Sequence, residues 1–195
     1  MHFDIAIFID CANLSCFKDV LIKDPHEHKK LAETISGCTK LYLNIHELFK
    51  SNIVTYNYLV DAGYGQCESD SSVRSLIEQH NPNMCHTLAD NDQTTIIDLL
   101  EKFNLRGKQR VLMCGLDLGH CVMHRPLGVC AWLESNHDVF LHKRFTATVS
   151  ANTEKLSNQD IHWLNSKDGY YGKLNLKLIP EEGDFLFVQP LGISN

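Results

Sequence analysis

The stretch VLMCGLDLGHC, residues 111–121, decides how the rest of the chain is read. Four apolar residues in a row that stop at Gly115 describe a short strand buried on both faces, the kind found inside a parallel sheet. The following segment, CVMHRPLGVCAWLES, carries enough apolar residues to form a helix covering that strand. Cys121 then falls where this helix begins. A thiol at a helix N-terminus sits in positive potential, which favours the thiolate and makes Cys121 a candidate nucleophile.

Outward from this stretch the pattern alternates. Residues 5–9 form an apolar strand ending at Asp10, which puts a carboxylate at the carboxyl end of a central strand, where open α/β sheets bind ligands. Residues 18–30 are charged and broken by Pro25, so they read as a loop, whereas 31–50 show helical spacing interrupted at Gly37. Residues 53–60 are β-branched and aromatic and predict a second strand, ending at Asp61. Residues 67–92 are polar and turn-rich, with a short helix near 73–79, and 95–103 form an amphipathic helix stopped at Arg106 and Gly107. Beyond the central unit come a strand at 139–142, a helix over 152–165 and a strand at 174–179. The tail either adds an edge strand at 185–188 or packs against a partner chain. Strands alternating with helices predict a three-layer α/β/α sandwich with a mainly parallel sheet, built as one domain over residues 1–195.

Composition narrows the function. A net charge of -6 disfavours a surface built to neutralise many phosphates, so no nucleic-acid partner is expected. No window approaches the roughly 18 apolar residues of a membrane span, and no basic leader precedes an apolar run, so no membrane partner is expected either. Eight cysteines without CxxC pairs fit a reducing, cytoplasmic compartment better than a zinc ribbon or a disulfide scaffold.

In their order these residues resemble the isochorismatase-like hydrolases, the superfamily of nicotinamidases and N-carbamoylsarcosine amidases. IFIDCAN is similar to the family's IDxQN, with Asp10 and Asn13 matching and Ala12 in place of the usual glutamine. Gly107 followed by RVLMCGLDLGHCV resembles the family's GV..LVVCG....CV, with Gly115, Cys121 and Val122 in register. HDVFLHKRFTATVS and NTEKLSNQDIHWL resemble the following strand and helix, His162 included. The resemblance implies a cysteine hydrolase acting on a small amide or related carbonyl compound through a thioester. Cys121 would be the nucleophile and Asp10 the base. The backbone amides of Asp117 and Cys121 would hold the oxyanion, after a cis Leu116-Asp117 bond. Asn13 would bind substrate, although a structural turn role fits it as well. The family's lysine has no counterpart, because no lysine lies between Lys50 and Lys102, and His86 is the nearest substitute. Gly63 stands where a metal-binding histidine would follow Asp61, so neither metal nor other cofactor is expected. The family also implies a homo-oligomer, which the residues themselves leave open. A chain lacking the lysine could equally be a catalytically inactive binding protein of the same fold.

A second resemblance competes. IFIDCANL is similar to the FIDxxNL start of NYN and PIN-like ribonucleases, which would assign Asp10, Asp98 and Asp117 to a metal-dependent site. The GDxD pair usual in that family is here GLDL. His120 and His124 sit four apart and flank Cys121, which invites a metal reading, but on a helix one of the two would face away from the thiol, so solvent-facing histidines are the plainer expectation.

Overall fold

The structure, a computed structural model, describes residues 1–9, 52–57, 85–89, 94–115, 118, 121–146, 162, 165, 174–179 and 183–190. Seven strands form one sheet: β1 (Ile5–Ile9), β2 (Asn52–Asn57), β3 (Cys85–Ala89), β4 (Arg110–Gly115), β5 (Asp138–Thr146), β6 (Leu174–Leu178) and β7 (Phe185–Pro190). Their order across the sheet is β3-β2-β1-β4-β5-β7-β6. The pairings from β3 to β5 are parallel, and β7 pairs antiparallel with both β5 and β6. The sheet is mixed and mainly parallel, as the alternation of strands and helices predicts.

β1 and β4 are the interior strands on which the rest is laid. All five residues of β1 are fully buried, and so are Val111 to Gly115 of β4. This is why both read as unbroken apolar runs rather than alternating ones. One face of the sheet carries Ile5, Ile7, Ile9, Val111, Met113, Val139 and Leu141. Against it pack three helices, α1 (Ile96–Lys102), α2 (Cys121–His124) and α3 (Val129–Glu134), through Ile96, Leu99, Val122, Met123, Val129 and Trp132. Each large side chain fully buried there stabilises by roughly 1.5–3 kcal/mol. The opposite face is also buried, around Phe3, Ala6, Phe8, Leu112, Cys114, Phe140 and Phe185, and no described helix contributes to it.

Asp4 fixes the start of β1 between its neighbours. Its backbone carbonyl accepts from the backbone N–H and the side-chain amide of Asn52, at 3.1 and 3.0 Å. Its carboxylate accepts from the backbone N–H of Arg110 at 2.8 Å. One residue thus sets the register of β1 against both β2 and β4.

Three expectations are corrected. Residues 85–89 form β3 inside a segment that reads as polar and turn-rich, so pairing with β2 outweighs the composition of CHTLA. The strand at 185–190 is not an edge strand: it lies between β5 and β6, with Phe185, Leu186 and Val188 buried, and β6 takes the edge. The single helix expected over 121–135 is two. Pro126 has no N–H to continue α2, and Gly128 caps α3 where a Cβ would sit 2.7 Å from the carbonyl oxygen of Met123. The helices expected near 31–50 and 73–79 lie outside the described residues, as does most of the one over 152–165.

At the amino edge, His137 is buried beside Trp132 and its Nδ1 accepts from the backbone N–H of Gln109 at 3.0 Å. Burial lowers its pKa from the ordinary 6.5, with Asp138 opposing and Lys108 adding to the effect. The unfolded chain therefore takes up a proton below 6.5 that the folded chain resists. Stability is full above that value and falls as pH drops through the lowered one. His137→Asn keeps an acceptor but does not titrate. Its urea midpoint should change less than the wild type's between about pH 7.5 and 5.5, and equal slopes would show that His137 does not carry this dependence.

Candidate functional site

The strand order reverses between β1 and β4. β2 and β3 follow on one side of β1, and β5 follows on the far side of β4. In open α/β sheets the crevice at such a reversal, outside the carboxyl ends of the strands, is the binding position. Here Ile9 pairs with Gly115 in the last step of the ladder. Asp10 follows Ile9 directly, and the turn leading to Cys121 follows Gly115.

Gly115 is required by this arrangement. It has φ of +145°, and a Cβ built on it would lie 2.2 Å from the carbonyl oxygen of Ile9. The two strand ends approach so closely that no side chain fits between their backbones.

The sequence-derived residues are distributed as follows. Cys121 is the first residue of α2, so it does open a helix, but that helix is four residues long. The aligned peptide dipoles behind it amount to one turn, far less than the continuous helix over 121–135 would supply. Asp10, Asn13, Asp117 and the Leu116-Asp117 bond lie outside the described residues, as do Asp61 and His120. His86 is in β3, level with Val54 and therefore with Ile7, two residues short of the level of Ile9. That is roughly 7 Å below the strand end and 10 Å across from β1. The backbone thus brings Ile9 and Gly115 side by side and sets His86 apart from them.

His124 ends α2, is exposed, and places Nδ1 3.9 Å from the sulfur of Cys130. Asp98 is exposed in the first turn of α1, where it completes a capping box with Thr95. Its Oδ2 accepts from the Thr95 N–H and hydroxyl, both at 2.7 Å. These hydrogen bonds hold the carboxyl below its ordinary pKa. Among the described residues no group of three or more His, Cys, Asp or Glu could hold a metal ion, and no helix is long and apolar enough to cross a membrane.

Two residues that sequence reasoning did not single out stand at the same edge. Between Met113 and Gly115 the β4–β5 register shifts, so that Gly115 pairs with Thr146. Lys143 and Thr146 lie on this irregular stretch and are 9% and 2% exposed. A signal was present: Val139, Leu141 and Lys143 share the inward phase of a strand, and lysine is rarely buried.

Compared with known proteins, the chain matches no family model, no curated protein and no solved structure.

Gly115→Ala should lower the unfolding free energy by roughly 3 kcal/mol, combining backbone strain with overpacking. The readout is the urea midpoint at unchanged slope. A loss below roughly 1 kcal/mol would mean that β4 can draw away from β1 at little cost.

Proposed function

We propose that the chain is an isochorismatase-like hydrolase working at the carboxyl edge of β1 and β4. Cys121 attacks a small amide or related carbonyl compound, with Asp10 as base. The supporting observation is the pairing of Ile9 with Gly115, which ends the two strands side by side at the reversal of strand order. Asp10 takes the thiol proton, the S–C bond forms, and the C–N bond breaks as the proton passes to the leaving nitrogen. Water then cleaves the thioester and restores the thiol. Because α2 is one turn long, activation of the thiol rests mainly on Asp10. The layer arrangement belongs to the same proposal: right-handed crossovers put α1, α2 and α3 on one face and assign the β1–β2 and β2–β3 connections to the other, giving three layers.

One placement supports a second reading, the metal-dependent ribonuclease. Asp98 is exposed and ionised at the start of α1, in the connection that leaves the carboxyl end of β3. Asp10 and Asp117 follow the ends of β1 and β4. Three carboxylates at one sheet edge would suit a divalent cation, with Oδ1 of Asp98 available because Oδ2 serves the cap.

Limiting iodoacetamide separates these readings. Fast, singular labelling at Cys121, slowed in Asp10→Asn, is expected for the cysteine hydrolase. Labelling no faster than at other exposed cysteines removes that reading. For the ribonuclease, cleavage of unstructured RNA with Mg²⁺ or Mn²⁺ should be lost in Asp10→Asn and Asp98→Asn and kept in Cys121→Ser. A chain that shows neither behaviour is a binding protein of this fold.

A further inference from the structure

A cleft of about 340 Å³ opens at the start of β5, and the proposed hydrolase does not use it. Asp138 there is level with Arg110, at the far end of β4 from Gly115, which separates the two by roughly 17 Å. Cavities that hold small ligands run from about 300 Å³ upward and combine apolar walls with a few fixed polar groups. Leu133, Phe187 and Val188 supply the walls here, and the polar groups are His137, Asp138 and Lys108.

His137 is a donor locked in one state. It is 8% exposed and lies edge-on against Trp132, with ring centres 5.1 Å apart. Its Nδ1 accepts from the Gln109 N–H, so the proton of the neutral imidazole is on Nε2. A second proton would sit on Nδ1 and face that N–H across 3.0 Å, which opposes protonation in the same direction as burial does. The Nε2–H has no acceptor among the described residues, yet it is not sealed from solvent. A rigid N–H without a protein acceptor thus belongs to a residue that lines the cleft.

Asp138 lines the same cleft. One of its carboxylate oxygens holds the Lys108 ammonium at 2.7 Å, and the other has no donor among the described residues. Asn136 and Gln189, which complete the lining, are neutral, so the charges of the cleft cancel. A carboxylate ligand would meet Asp138, an ammonium would meet Lys108, and either would have to open the ion pair. A neutral ligand leaves it intact.

We propose that this cleft binds a small neutral ring with a lactam edge, a carbonyl beside an N–H, as in a pyrimidine base. The carbonyl accepts from the Nε2–H of His137, the ring N–H donates to the open oxygen of Asp138, and the flat faces lie against Leu133, Phe187 and Val188. Binding is non-covalent and separate from the carboxyl edge, so it stands or falls independently of the hydrolase reading.

The test follows the histidine-ring NMR signals of the full chain during titration with uracil, 1,3-dimethyluracil, benzoate and benzylammonium. Expected are a proton on Nε2 of His137, a saturable shift of that signal by uracil, and about tenfold weaker binding of 1,3-dimethyluracil, whose N–H groups are blocked. Benzoate and benzylammonium should bind more weakly than uracil. Asp138→Ala should weaken uracil binding about tenfold, whereas Lys108→Met, which releases the carboxylate, should keep uracil and admit benzylammonium. A proton on Nδ1, no saturable shift by uracil, equal binding of the methylated ring, or tighter binding of either ion overturns the proposal. So does unchanged uracil binding in folded Asp138→Ala, or its loss in folded Lys108→Met. The ligand comparisons are made on the wild type and decide the matter even where a variant does not fold.

Discussion

The close approach of β1 and β4 is the constraint on which everything else depends. It is set at the start by the Asp4 carboxylate on the Arg110 N–H and at the finish by Gly115 against the carbonyl of Ile9. Between those points every residue of both strands is buried, apart from the half-exposed Arg110. Side chains inside such a pair cannot move to the other face without a one-residue slip that would invert the whole core.

The two edges of the sheet are built differently. At the amino edge most of the polar groups are answered locally. The Gln109 side chain donates to the carbonyls of Arg106 and Gly107, Lys108 pairs with Asp138 at 2.7 Å, and Arg110 lies over the rings of Phe3 and Phe140. The cleft of about 340 Å³ there is lined by the ion pair and by Leu133, Phe187 and Val188. At the carboxyl edge Gly115 takes a left-handed conformation, β5 leaves register, a lysine is buried and a hydroxyl is unanswered. Left-handed residues are not confined to this edge, since Asn104, Gly107 and Asn136 adopt positive φ in the turns that precede β4 and β5.

What the sequence made legible follows from how local each signal is. β1 and β4 were readable because strands buried on both faces need uninterrupted apolar residues. α1 was readable because Thr95 caps it and its apolar spacing is helical. β3 was not, since CHTLA gains its strand state from β2 and not from its own residues. The break between α2 and α3 was half legible. Pro126 announces it, but the closeness of Gly128 to the last carbonyls of α2 is a tertiary fact. Of the site, the convergence of the strands leading to Asp10 and Cys121 could be argued from strand order. Lys143 could be suspected from its inward phase alone, whereas Thr146 could not, because its place beside Gly115 depends on a register shift that is not written in neighbouring residues.

The short α2 bears on which chemistry the edge performs. A cysteine at the head of a long helix gains thiolate from the helix itself and needs little from its surroundings. At the head of one turn it needs a base, and in the proposed hydrolase that base is Asp10, the next residue in sequence after β1. Asp10 is also the residue that the metal-dependent reading cannot do without, since Asp98 already gives one oxygen to Thr95. Both proposed chemistries thus depend on the carboxylate that follows Ile9 in sequence. They differ in whether it works as a proton acceptor for sulfur, which requires it close to its ordinary pKa or above, or as a ligand, which requires it permanently ionised.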